Sequence, residues 1–379
     1  MITVFYARFA YLNPGVPHFL RTLQERPPAG VRAVDVTVHS PDEVARLAGE
    51  SSTIAIDQSV ENAATWATPG QFSIYRIRGN RPTAHYAEIS DTLWTADVRR
   101  LFMSNFDLHD ARVPTVIEKH RGRMNAISWM FEKRPRATDD VPAPYRDPWM
   151  NQDHDPLRTW NLIREAVPAR VELPFSLAES EFTDTAPFPR WDAGVPGAPY
   201  ATRRIATESL RAADLSCVPG RSFNRAAVLA SRALELTLPG EMACLAMIAL
   251  YQQLQRGLVR SSAITFVCGS GVAFATRKFF EIPALRAPML AYPCIGFEDY
   301  GFRHGENTFA TVPEDAGRDA KWLRAHPDAA DRIAREGQAM MRRLHLVDTR
   351  VAQFAECLRR LDRDDLHHAE FLGGRYEIS

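Results

Sequence analysis

Ala263-Ile264-Thr265-Phe266-Val267-Cys268 is an apolar run that breaks at Gly269-Ser270-Gly271. Beyond it come Thr276-Arg277-Lys278-Phe279-Phe280-Glu281-Ile282-Pro283-Ala284-Leu285 and a second apolar run, residues 287–292. The order reads as strand, glycine turn, helix over 276–285, strand. Glycines let backbone amides approach a ligand closely, and a helix start offers unpaired N–H groups with partial positive charge. Gly269, Gly271, Thr276, Arg277 and Lys278 therefore form a candidate anion site. Glu281 is one helical turn beyond Lys278, so it can face the same ligand and accept hydrogen bonds from hydroxyls. The same spacing also permits a plain ion pair between Arg277 and Glu281, and a GSG turn can be nothing more than a tight turn.

Outward from this stretch, the first half of the chain alternates strand-like and helix-like segments. Residues 2–11 are apolar and β-branched or aromatic, and end at Asn13-Pro14-Gly15; helical spacing follows over 16–24. Val31 to Val38 predicts a strand. Ser40-Pro41-Asp42-Glu43 predicts a capped helix, with Ser40 and Glu43 as a capping box and Pro41 at the first position. Further strands are expected over 52–57 and 72–77. Such alternation favours a parallel sheet covered on both faces, a Rossmann-like layer. From Pro82 the pattern loosens: short strands are expected over 101–105 and 125–131, and residues 132–148, rich in proline and charge, form a long loop on the surface or in a cleft.

Periodicity stops again near Thr183 to Pro189, which marks a domain boundary. The expected units are residues 1–186, residues 187–348, and a C-terminal helix and tail over 349–379 that turns back towards the first unit. The last charged, histidine-containing residues read as a solvated tail. At 379 residues two domains are the default, and equal counts of basic and acidic residues, 46 each, argue against general binding to nucleic acid or anionic membrane. Five scattered cysteines without a CxxC pair fit a reducing cytoplasm better than a disulfide framework or a zinc ribbon. The beginning of the chain runs straight into a strand without a leader pattern, and no stretch reaches the roughly 18–20 apolar residues of a membrane span. A cytoplasmic location, with peripheral membrane association still open, is the expectation.

From Trp191 onward the segments resemble the C-terminal half of GT-B glycosyltransferases, in particular the glycosyltransferase group 1 family that includes spore-coat maturation proteins. The marks are Trp191-Asp192-Ala193-Gly194-Val195-Pro196-Gly197 with Arg203-Arg204 behind it, Ser262-Ala263-Ile264, and Arg277 through Ala284. Gly296-Phe297-Glu298, His304-Gly305-Glu306-Asn307 and the helix from His326-Pro327 to Gly337 continue the series. The resemblance implies an α/β protein of two Rossmann-like domains facing across a cleft. It implies transfer of a sugar from a nucleotide-sugar donor to a hydroxyl of a glycan, lipid-linked glycan, protein or small molecule.

On the same resemblance, Glu281 bonds the ribose, helix-start amides with Arg277 and Lys278 hold the diphosphate, and Gly197, Arg203, Gly269, Gly271 and Thr276 complete the donor-binding set. No metal or other cofactor is implied, because protein cations stabilise the departing diphosphate. Many retaining relatives carry a second Glu eight positions before this one, where this chain has Ala273, so stereochemistry stays open. An inverting transfer needs a base, expected from the first domain. Asp57, Asp107, His109, Asp110, His120 and Glu132 all sit where a parallel sheet presents loops. Asn13 and Gly15 are candidates for the acceptor side. A nucleotide-sugar epimerase of the same architecture, or a non-catalytic nucleotide-sugar-binding scaffold, remain as alternatives.

Overall fold

The computed structural model of the chain describes residues 1–8, 15–65, 83–106, 112–129, 133–147, 155–197, 200–218, 233 and 240–379. Within them, twelve strands form two sheets. The first sheet draws on β1 (Ile2–Tyr6), β2 (Val31–Asp35), β3 (Thr53–Asp57), β4 (Arg100–Phe106), β5 (Ala126–Trp129) and β6 (Ala169–Glu172). The second contains β7 (Trp191–Gly194), β8 (Ser262–Val267), β9 (Met289–Ala291) and β10 (Phe309–Ala310). The chain then returns to the first sheet with β11 (His368–Leu372) and β12 (Arg375–Ile378).

The first sheet runs β12-β11-β6-β5-β4-β3-β1-β2 and is parallel except for the β11–β12 pair. The second runs β10-β9-β8-β7, all parallel. All five residues of β1 and of β3 are buried, which explains their continuous apolar sequence: helices cover both faces of a parallel sheet. The helix Pro41–Gly49 opens as its sequence demands, with Ser40 Oγ accepting from the Glu43 amide at 3.3 Å and Glu43 Oε2 accepting from the Ser40 amide at 2.8 Å.

Two sequence expectations give way. The tail is not solvated: β11 pairs with β6 in parallel, and Ala369 and Phe371 alternate into the core. A five-residue strand with His368 and Glu370 on its other face is too short and too charged to stand out in sequence. The helix expected over 276–285 is confined to Lys278–Ala284. The strand expected over 72–77 lies outside the described residues.

One apolar cluster ties the two sheets together. It gathers Phe19 and Leu23 from the helix Gly15–Glu25, Phe279 and Phe280 from Lys278–Ala284, and Val351, Phe354 and Leu358 from the helix Val347–Asp362. Phe354 meets the edges of Phe19 and Phe102 at ring-centroid distances of 5.4 and 5.5 Å. Residues 133–147, which follow β5, also reach across. Arg136 donates to the Gly271 carbonyl at 3.2 Å, Val141 packs on Val272, and the Tyr145 hydroxyl donates to Glu314 at 2.7 Å. The long loop read from the sequence is thus a strap laid over the second sheet's turns.

Candidate functional site

The carboxyl ends of adjacent parallel strands are where such sheets present ligand groups. In the second sheet, β7 and β8 end at Gly194–Gly197 and Val267–Gly271, and three of the residues predicted for the donor meet there. Gly197 has φ +106°, and a Cβ on it would stand 2.3 Å from an Arg203 guanidinium nitrogen and 2.9 Å from Lys278 Cε. Only glycine lets the loop pass this close. Arg203 is 4% exposed, donates to the Cys268 carbonyl at 3.1 Å and lies over the Tyr200 ring at 4.7 Å. Gly197, Arg203 and Lys278 are therefore one cationic corner.

Glu281 stands beside it. Its side chain is 22% exposed, 3.3 Å from Arg277 Nε and 3.7 Å from Lys278 Nζ. Burial pushes its pKa up, but Arg277 and Lys278 outweigh that and hold it below the ordinary carboxylate value. An ionised carboxylate accepts hydrogen bonds and cannot donate, which suits it to vicinal hydroxyls. Glu281, Lys278 and Pro196 line a cavity of about 30 Å³ together with Gln252, Gln255 and Arg256 from the helix Gly240–Arg260.

Other predicted members take different parts. Arg277 is only 5% exposed and is ion-paired to Glu181 as well as Glu281, so its charge is spent inside the protein rather than offered to a diphosphate. It positions Glu281. Gly269 is a packing glycine, since a Cβ there would lie 1.6 Å from the Phe274 carbonyl oxygen. At Gly271 the obstacle is the strap, with Tyr145 O at 2.3 Å. The amides of Phe279, Phe280 and Glu281 already donate to the carbonyls of Thr276 and Arg277, which leaves little of the expected amide cradle. Thr276 precedes this turn, its hydroxyl buried and without a hydrogen-bond partner. At the position eight before Glu281, Ala273 is buried with φ +58°.

On the first sheet the order places the switch point between β1 and β3. Asp57 sits there at the end of β3. Burial raises its pKa, and its oxygens are already occupied by the Ser59 amide (3.0 Å), the hydroxyls of Ser59 (2.6 Å) and Ser104 (3.2 Å), and the Asn105 amide. It braces the start of the helix Gln58–Thr65 and the end of β4, and is not a poised base. His120 is at the wrong end of the sheet. It precedes β5, stacks on Trp94 at 3.9 Å, and is driven down to about 4 by burial and by Lys119, so it is a packing histidine. Asn13, Asp107, His109, Asp110 and Glu132 lie outside the described residues. Gly15 opens the helix Gly15–Glu25 beyond β1.

Sequence reasoning passed over three groups. His18, on the helix after β1, is kept neutral by burial, with Glu181 opposing and Arg277 and Arg21 reinforcing that shift. Glu181, in the crossing segment between the sheets, holds Arg277. Asp147, on the strap, accepts from the Ala201 amide at 2.6 Å and so occupies the start of the helix Ala201–Ala212. None lies in a recognisable motif; His18 and Glu181 meet at Arg277 only because the two sheets face each other, while Asp147 reaches the helix Ala201–Ala212 from the strap.

Residues 246–356 match the family described as Glycosyl transferase-like. No curated protein sequence matches the chain. Among similar solved structures, HepE of Anabaena, solved with UDP and glucose, is 11% identical with a TM-score of 0.50, covering 95% of this chain and 99% of that one. Sucrose-phosphate synthase of Thermosynechococcus elongatus is also 11% identical, with a TM-score of 0.49 and coverage of 96% and 99%. The shared architecture with HepE is GT-B: two Rossmann-like domains facing across a cleft.

Proposed function

We infer that this chain, a glycosyltransferase of GT-B architecture, binds its nucleotide-sugar donor at the Lys278–Ala284 helix, with the ribose hydroxyls on Glu281 and the diphosphate at the corner formed by Lys278, Arg203 and Gly197. The observation that carries this reading is the ionised, partly exposed Glu281 carboxylate, oriented by Arg277 beside a cationic corner at the carboxyl ends of β7 and β8. HepE, which shares the fold, was solved with UDP and glucose.

The chemistry follows from charge. Departure of the nucleoside diphosphate builds negative charge on its oxygens, and fixed cations beside them lower the barrier without reorganisation. Lys278 and Arg203 supply that charge from the protein itself, with no metal in the proposed step. The acceptor hydroxyl, on a glycan, lipid-linked glycan, protein or small molecule, enters from the first domain. On the first domain His18 is kept neutral by burial, but its Nδ1 accepts from the Arg21 guanidinium at 3.0 Å, so it takes the proton only after that bond is released.

Isothermal titration with nucleoside diphosphates and their sugars tests the donor site. Glu281→Ala is expected to weaken binding about tenfold or more, the worth of hydrogen bonds to a charged acceptor, while leaving the fold intact. Unchanged affinity removes the ribose role. Sugar transfer to an acceptor, rather than conversion of the donor alone, separates this reading from an epimerase.

A further inference from the structure

The strap over 133–147 brings a negative charge to the proposed diphosphate corner. Asp147 is 3% exposed, and its carboxylate accepts from the Ala201 amide at 2.6 Å, at the start of the helix that carries Arg203 and Arg204. Both arginines attract it. The positive end of a helix beside cations favours an anion, and here a side chain of the same chain takes that place. The turn after β8 is covered as well, because the Arg136 guanidinium donates to the Gly271 carbonyl at 3.2 Å and the Tyr145 backbone lies against Gly271.

Little holds this cover down. Its apolar anchor is Val141 on Val272, flanked by the half-buried Tyr145 and Phe274. The Tyr145 hydroxyl donates to the exposed Glu314 at 2.7 Å. At the near end Lys133 is ion-paired with Asp299 at 3.0 Å and Glu370 at 3.1 Å, which fixes that end. Burial pushes the Asp147 pKa up against the pull of the Ala201 amide, Arg204 and Arg203, so the docked place favours the protonated carboxyl over the ionised one. The ionised side chain is therefore a weak rival for a diphosphate, which carries more charge. Segments with few buried apolar contacts open at low cost.

We propose that residues 133–147 are an autoinhibitory strap: docked, Asp147 holds the helix start and shields Arg203, and the donor's diphosphate gains the corner by displacing it. This rests on the donor site proposed above. The diphosphate is the competing part, so the effect is common to every donor, whatever its base or sugar.

The test is calorimetric titration of wild type, Asp147→Asn and Val141→Ala with UDP, ADP and GDP. Asp147→Asn keeps an oxygen for the Ala201 amide and removes the charge. It is expected to bind about tenfold more tightly whichever nucleotides wild type binds, as loss of one repelling charge beside a diphosphate requires. Val141→Ala loosens the anchor and shifts affinity in the same direction. In wild type, trypsin cleavage after Arg136 and Arg146 is expected to quicken when nucleotide is added to saturation. Unchanged or weaker binding by Asp147→Asn, or protection of the strap by nucleotide, overturns the autoinhibition and leaves the donor site standing, because wild type still binds. Absence of nucleotide binding by wild type and both variants removes the donor site and this inference together. Binding by Asp147→Asn alone supports both.

Discussion

At the residue scale the charges divide by exposure: the Glu281 side chain stays 22% exposed, whereas that of Arg277 is 5% exposed and holds the fold. The run from Arg277 to Ala284 stands out in the sequence, but nothing in it separates Glu281 from Arg277, whose charge is paired inside the protein. The difference lies in Glu181, 96 positions away, whose carboxylate reaches Arg277 only once the two sheets face each other. No local pattern contains that information. Glu172 is a second such case. It lies at the end of β6, fully buried, accepting from the Phe371 amide at 3.1 Å and from the Tyr300 hydroxyl, with Lys133, Glu370 and Arg350 around it. Burial pushes its pKa up to about 7 against the opposing hydrogen bonds and Lys133. A carboxyl raised in the folded state contributes stability that is complete below its unfolded value and is lost as pH rises through 7. Glu172→Gln keeps the shape and removes the titration. Wild type should lose about 2 kcal/mol more than the variant between pH 5.5 and 8.5 in urea unfolding. Parallel losses in both proteins would show that Glu172 does not titrate in this range.

At the element scale, regular helices and strands were readable and the irregular connections were not. The capped helix Pro41–Gly49 and the helix that opens at Pro327 and runs to Leu344 lie where the sequence puts them. The proline-rich loop was visible as a loop, but its destination was not, because proline and charge specify an extended, solvated path and say nothing about what lies beneath. Its docking explains Gly271 better than a ligand does. Gly271→Ala puts a methyl against the Tyr145 carbonyl and Val141, so the expected cost is about 1–3 kcal/mol of stability together with new protease cleavage inside 133–147. An unchanged melting temperature and cleavage pattern would mean that the strap does not press on the turn. The Asp147 carboxylate at the helix start follows from the same docking.

At the scale of the whole molecule, the two sheets are one mechanical unit. Phe371, from β11, lies between Tyr300 (6.3 Å), His345 (5.3 Å) and Tyr376 (5.2 Å), so it touches segments on both sides of the cleft. Phe371→Ala should cost about 3–5 kcal/mol and lower a single calorimetric transition. Two separated transitions in the wild-type protein would show instead that the sheets melt independently. The alternation of strands and helices revealed the two-layered plan, and the resemblance of the second half pointed to GT-B. What stayed hidden was the return of the chain, since β11 carries too few apolar residues to announce a strand. That return also sets an order in time. Glu172 and Phe371 are joined across 199 positions. A nascent chain must therefore finish nearly the whole second domain while the open edge of β6 waits for its partner. Unpaired edges of this kind recruit other chains. Synthesis slower than folding of the second domain prolongs that exposure, which makes β6 the place where misassembly of this protein would begin.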